Sequence, residues 1–266
     1  MIRIAIVVIC TCALASPLSA LVGGAPPTSE GAGRAVVMLT GSHGTFCSGV
    51  ALARDLVLTA AHCVLPGANY KLVEFDAARQ PALKDLAIIA RHPDFDVNAV
   101  LRHRVTADVA LVKLTTPLQV TPALLAPAGG SVVAGDRFVV AGYGVAVHGD
   151  GKTGGTVRAA TLVATGQPGT LQIRLADPAT KGERAGLGAC TGDSGAPVYR
   201  DVGGALAVIG VVSWSTGPAL SEGCGGSRRS RAIGRGWRSK RGKWARRCRP
   251  EPYPSGHSRG SWFRER

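Results

Sequence analysis

The sequence predicts an all-β chain built as two β domains, and three observations carry that prediction. From residue 34 to residue 214 short apolar runs alternate with Gly, Pro and Asp, and no stretch of any length keeps a helical period. A Pro- and Ala-rich stretch from Pro117 to Gly130 divides these runs into two sets of comparable length, as a linker between domains would. The chain has 266 residues, of which 45% are apolar and 18% charged, with 36 Gly, so it can bury a substantial core. Disorder, collagen and coiled coil are excluded for the bulk of the chain.

Taken in order, the strands are expected at 35–39, 46–52, 54–58, 86–90 and 108–114 in the first set. The second set is expected at 137–141, 157–164, 170–174 and 206–214. Each is short and rich in Val, Leu, Ile or Ala, the pattern of an all-β protein of many small strands.

Both ends depart from this body. At the start, one Arg precedes an apolar run from Ile4 to about Ala15, too short to span a bilayer with margin, and small residues at Ala15 and Ala20 offer cleavage points. Residues 1–20 are therefore expected to be a signal peptide with a possible short pro-segment, and the mature chain to be secreted or periplasmic. At the other end lies most of the charge. The formal net charge is +14, but residues 1–224 hold 17 Lys/Arg against 15 Asp/Glu, whereas residues 225–266 hold 14 against 2. A nearly neutral body carries a very basic end, so the charge is weak reason to expect nucleic acid or membrane as a partner of the body.

Seven cysteines are present, and Cys10 and Cys12 leave with the signal peptide. Cys47, Cys63, Cys190 and Cys224 form two sequence-local pairs, and export to an oxidising compartment makes 47–63 and 190–224 the natural bridges. Cys248 is left over. No zinc-type Cys spacing occurs outside the signal peptide, and no metal or organic cofactor is expected.

Three local sequences carry chemistry: Thr59-Ala60-Ala61-His62-Cys63, Ala107-Asp108-Val109-Ala110-Leu111, and Thr191-Gly192-Asp193-Ser194-Gly195-Ala196-Pro197. A serine hydroxyl is a poor nucleophile until a base takes its proton, and histidine is the side chain whose pKa suits that task near neutrality. The imidazole needs a carboxylate on its far nitrogen to fix the tautomer and tolerate its positive charge. His62, Asp108 and Ser194 supply those types. An α/β-hydrolase elbow is excluded, because it requires glycine where this chain has Ala196.

With these motifs, residues 21–226 resemble the trypsin/chymotrypsin-like serine protease family, as a bacterial-type secreted member. Leu21-Val22-Gly23-Gly24, Phe46-Cys47-Ser48-Gly49, Gly142-Tyr143-Gly144 and Val212-Ser213-Trp214 add to the likeness. The resemblance implies two six-stranded antiparallel Greek-key β-barrels, residues 21–122 and 123–226. It also implies a catalytic triad of His62, Asp108 and Ser194, with the N–H groups of Gly192 and Ser194 as the oxyanion hole. Asp193 would pair with the α-amino group of Leu21 after processing, and that pairing would order the oxyanion turn. Leu21 stands where the family usually has Ile, and no Lys or Arg precedes it, so direct release by signal peptidase or trimming is expected.

Further implied positions concern specificity. Gly188 would lie at the floor of the pocket for the residue before the scissile bond (P1), followed by Ala189; without an acid there, small to medium apolar P1 residues are expected. Ser213, Trp214 and Ser215 resemble the strand that pairs with the substrate backbone. Glu222 is read as a solvated loop acid.

After Cys224-Gly225-Gly226 the family pattern stops. Residues 227–266 hold three of the four tryptophans (Trp237, Trp244 and Trp262) and no alternating apolar pattern, so they read as a basic non-family tail, disordered, and the second barrel is expected to lack its closing strand. Two origins compete: out-of-frame translation of a GC-rich gene end, or a basic arm for anionic polymers. The expected function is a monomeric serine endopeptidase acting on protein or peptide substrates. The alternative is a non-catalytic protease-like binding protein whose tail contacts anionic polymers.

Overall fold

The computed structural model describes residues 21–233, apart from 77, 79, 128–129, 167–170, 182–185 and 217–228. Residues 1–20, expected to be a signal peptide, and Glu222, Cys224, Cys248 and the tail tryptophans lie outside the described residues.

Six strands make the first barrel: β1 (Val36–Gly41), β2 (Phe46–Ala53), β3 (Leu56–Thr59), β4 (Tyr70–Phe75), β5 (Pro81–Arg91) and β6 (Ala110–Leu114). All pairings are antiparallel, in the order β1-β2-β3-β6-β5-β4, and β1 pairs β4 to close the ring. Every side chain of β3 is buried, as its Leu-Val-Leu-Thr composition between two neighbours requires. β4 was missed by the sequence because Lys71 and Glu74 break its apolar run, yet Tyr70, Leu72 and Val73 are buried. β5 begins five residues before its predicted start, in an exposed half that opens on Pro81. A five-residue helix, α1 (Val97–Leu101), interrupts the β pattern; the Asp96 carboxylate caps it by accepting the Asn98 N–H at 2.9 Å. It is too short for periodicity to reveal.

The second sheet contains β7 (Leu124–Leu125), β8 (Arg137–Gly142), β9 (Arg158–Ala164), β10 (Gln172–Ala176), β11 (Pro197–Val202), β12 (Ala205–Thr216) and β13 (Arg229–Ile233). Its order is β11-β8-β9-β10-β13-β12-β7, and β11 also pairs β12, so the sheet curls back on itself. The short β7, inside the predicted linker, runs parallel to β12; the other pairs are antiparallel.

One sequence expectation is corrected here. Residues 229–233 belong to the segment read as a tail that supplies no closing strand. In the structure their backbone pairs with β10 on one side and β12 on the other. A strand bonded on both edges draws its stabilisation from main-chain N–H and C=O groups, which an Arg/Ser-rich segment supplies as well as an apolar one. The apolar alternation on which the sequence argument relied is therefore not required.

Among the described residues, three large apolar clusters and a small one of Val22, Val145 and Cys190 fill the molecule. One lies within the first barrel, around Leu39, Val57, Leu72 and Val112. One lies within the second, around Phe138, Leu162, Ile173 and Leu175, and includes Leu21. The third joins them, with Val50, Leu58 and Leu111 from the first barrel and Ala141, Tyr199 and Val211 from the second. Tyr199 is 2% exposed, and burial pushes its hydroxyl far above the usual phenol range, with Arg34 pulling weakly the other way.

The sign of that shift sets a pH dependence. Above the ordinary phenol value of 10.0 the unfolded chain ionises Tyr199 while the folded chain keeps it neutral, so stability falls as pH climbs past that point. Between about pH 10 and 11 the wild type loses up to about 1.4 kcal/mol more than Tyr199→Phe, read from urea midpoints at each pH. Equal slopes for the two proteins would contradict the burial effect.

Candidate active site

The site forms where the ends of paired strands meet. β3 and β6 run antiparallel with Thr59 opposite Ala110, so the residues just after β3 and just before β6 emerge together. His62 lies in a short 3-10 turn, Ala61–Val64, and Asp108 lies two residues before β6. Arg91 fixes the turn from β5 through a 2.5 Å hydrogen bond from its Nη1 to the Val64 carbonyl.

Asp108 has no solvent exposure, and its carboxylate collects three donors. Oδ1 accepts the His62 backbone N–H at 2.9 Å, and Oδ2 lies 2.7 Å from His62 Nδ1. The Ser213 hydroxyl, from β12 of the second sheet, donates to Oδ2 at 2.5 Å. A buried carboxylate is tolerated only when hydrogen bonds replace its hydration, and these do so. The arrangement puts the proton on Nδ1 and leaves Nε2 as the acceptor nitrogen.

Ser194 sits in a tight turn leading into β11. Asp193 N–H bonds to Cys190 O and Ala196 N–H to Asp193 O, each at 2.9 Å. Gly192 and Gly195 take φ values of 94° and 80°, which side chains rarely adopt, and a Cβ on Gly195 would fall 2.2 Å from the Ser48 carbonyl oxygen. The turn and His62 share a neighbour: the Ser194 carbonyl oxygen and His62 Nε2 each lie 3.7 Å from Cys63 Sγ. Among the described residues, the N–H groups of Gly192 and Ser194 have no acceptor.

Asp193 is likewise fully buried, with Oδ1 accepting Gly144 N–H and Oδ2 accepting Cys190 N–H, both at 2.9 Å. Its carboxylate fills the space that a side chain would need at Gly142 or Gly144; a Cβ at Gly144 would lie 2.4 Å from its carboxyl carbon. Leu21 is 1% exposed in the second core, and the next residue, Val22, pairs with Gly188, whose N–H bonds to Val22 O at 3.1 Å.

Gly188 and Ala189 are both buried, Gly188 against Val22 and Ala189 in the second core. The Ser213 side chain is committed to Asp108, while Trp214 and Ser215 are half-buried beside it. Cys47 and Cys63 form a disulfide with Cα atoms 6.2 Å apart, tying β2 to the His62 turn. With Cys224 outside the described residues, its expected bridge to the buried Cys190 is not described. Among the described residues one cluster offers metal-ligand chemistry, Cys47, His62 and Cys63, but the disulfide occupies both sulfurs.

A residue without an assigned role in the sequence, Ser48, links the two sheets. Its hydroxyl accepts Tyr143 N–H at 2.9 Å and donates to Gly192 O at 2.7 Å, while its backbone N–H bonds to Ser194 O at 2.8 Å. Thr59 Oγ1 donates to the Ser48 carbonyl at 2.7 Å. Ser48 belongs to the Phe46-Cys47-Ser48-Gly49 motif, and that motif was the only signal available.

A family model for trypsin matches residues 21–231. The chain belongs to the trypsin family. Among its relatives is the vitellin-degrading protease of Bombyx mori, 29% identical over 202 residues, which cover 70% of this chain and 72% of that protein. Trypsin-family membership makes the chain a serine-type peptidase by class, with proteins or peptides as substrates. The family match starts at Leu21 and runs three residues into β13, beyond the point at which the motifs had stopped.

Gly144→Ala tests the packing around Asp193. The added methyl must displace a buried carboxylate, so stability falls by about 1–3 kcal/mol. Peptidase activity falls about 100-fold or more as the Gly192–Ser194 turn moves. Wild-type melting and activity in this variant would contradict the packing.

Proposed function

We propose that this trypsin-family chain is a secreted serine endopeptidase in which Ser194 attacks the peptide carbonyl, His62 carries the proton and Asp108 orients His62. The observation that carries the proposal is the buried Asp108 carboxylate, which binds His62 at both Nδ1 and the backbone N–H. With Nδ1 protonated, Nε2 takes the Ser194 hydroxyl proton as the nucleophile bonds to the carbonyl carbon. The oxyanion is received by the N–H groups of Gly192 and Ser194, which point at no other acceptor among the described residues. Nε2 then protonates the leaving amine, and water hydrolyses the acyl-enzyme by the same route.

Residues 1–20 act as the signal peptide, 21–122 as the first barrel, and 123–226 together with β13 as the second. Cleavage before Leu21 creates an α-amine that pairs with Asp193; the burial of Leu21 and the Val22–Gly188 pairing support this seat. A second bridge, Cys190–Cys224, steadies the Ser194 turn. P1 is a small to medium apolar residue, because Gly188 offers no carboxylate to a Lys or Arg.

One experiment with two readouts tests the proposal. A fluorophosphonate labels Ser194 in folded wild type and fails to label His62→Ala. The same preparation cleaves Ala, Val or Leu p-nitroanilides at least about 10-fold faster than Arg. Folded protein that takes no label overturns the enzyme in favour of a binding protein, and preference for Arg overturns the pocket assignment.

A further inference from the structure

The loop after α1 contains three consecutive basic side chains, Arg102, His103 and Arg104, all exposed. Its backbone is firmly held. Arg102 N–H bonds to Asn98 O at 3.1 Å, His103 N–H to Val100 O at 2.9 Å, and Arg104 N–H to Ala99 O at 2.7 Å. His103 takes φ 52°, a left-handed conformation uncommon outside glycine. Its imidazole crosses from the first barrel to stack on Trp214 of β12, with ring centroids 4.9 Å apart and planes 26° from parallel. Trp214 follows Ser213, whose hydroxyl binds Asp108, so this basic turn is anchored one residue from the side chain that holds the proposed catalytic carboxylate.

Two consequences follow for anything that lies along Ser213–Ser215. One face of the Trp214 ring, which would otherwise offer an apolar platform, is covered by His103. Arg102 and Arg104 flank that cover and, among the described residues, neither forms an ion pair. The carboxylate closest before the turn in sequence, Asp96, uses Oδ1 to cap α1. Exposed guanidinium groups carried on this held backbone turn, without an ion pair among the described residues, are suited to a carboxylate, which Arg binds through paired N–H donors.

We propose that the Arg102-His103-Arg104 turn is a specificity subsite that selects Asp or Glu upstream of the scissile bond. This rests on the peptidase reading above. A substrate added as a strand along Ser213–Ser215 places its P1 residue opposite Ser213 and the residue two before it opposite Ser215. The turn over Trp214 then faces the third and fourth residues upstream of the cut, counting P1 as the first. The subsite favours acidic segments that carry an apolar residue at the cleavage point, whereas the neutral floor at Gly188 governs P1 alone.

The test compares two quenched fluorescent peptides that share an apolar P1 and differ only in having Glu or Gln at the third and fourth positions. An exposed charge pair within a few ångströms is worth several-fold, and screening shortens its reach to about 3 Å in about 1 M salt. In low salt kcat/KM is about 5- to 10-fold higher for the Glu peptide, and the ratio falls toward one in about 1 M NaCl. Arg102→Gln combined with Arg104→Gln brings the low-salt ratio toward one as well. A wild-type ratio of one, or a preference that survives either high salt or the double substitution, overturns the subsite. Cleavage of the Gln peptide reports on the peptidase reading independently of the ratio, and absence of cleavage of both peptides overturns the two together.

Discussion

A carboxylate shut away from water must find its solvation inside the protein, and Asp108 finds it in three donors drawn from two separate sheets. Two come from the His62 turn at the end of β3, and one comes from Ser213 on β12. Removing any of them leaves a buried charge short of hydrogen bonds, at a cost of several kcal/mol for a poorly compensated ion. The carboxylate therefore does more than orient an imidazole. It requires the first barrel and the second sheet to meet in one register, and the remaining contacts at the seam serve that register.

Ser48 is the counterpart on the other side of the site. Its hydroxyl and N–H join β2 to Tyr143, Gly192 and Ser194, so the Ser194 turn is bonded to the first barrel while it is covalently part of the second sheet. Glycines stand where these approaches are closest: Gly195 against the Ser48 carbonyl, and Gly142 and Gly144 against Asp193. Two buried carboxylates, Asp108 and Asp193, thus define the two halves of the candidate site, one behind the imidazole and one behind the Gly192–Ser194 turn. The disulfide from β2 to the His62 turn removes a further freedom and is worth about 3 kcal/mol for a loop of this size.

The parts of this design that were legible in the sequence are those written locally. His62 beside Cys63, and Ser194 between Asp193 and Gly195, carry the motifs of the proposed chemistry and their turn geometry in a few consecutive residues, and strands such as 137–141 announce themselves by composition. The Asp108 position could be named from its motif, but its three donors could not, because Ser213 is 105 residues away. β4 and the start of β5 were hidden by charged residues, Lys71 and Glu74 in one and Lys84 and Asp85 in the other, that interrupt their apolar runs. β13 was hidden more deeply: a strand held on both edges by backbone bonds needs no apolar pattern, and Arg229–Ile233 has none that marks it. The stack of His103 on Trp214 joins a loop of the first barrel to β12, two segments that no periodicity connects.

The direct test of the central role of Asp108 is Asp108→Asn, measured by single-turnover acylation with circular dichroism and melting on the same samples. The amide preserves shape and burial but stabilises the wrong imidazole tautomer and offers no charge to the imidazolium. A folded protein whose acylation is slowed by about 10⁴-fold is the predicted result. A folded variant acylated within about 10-fold of the wild-type rate would contradict the account, because the hydrogen bonds around residue 108 would then be structural alone.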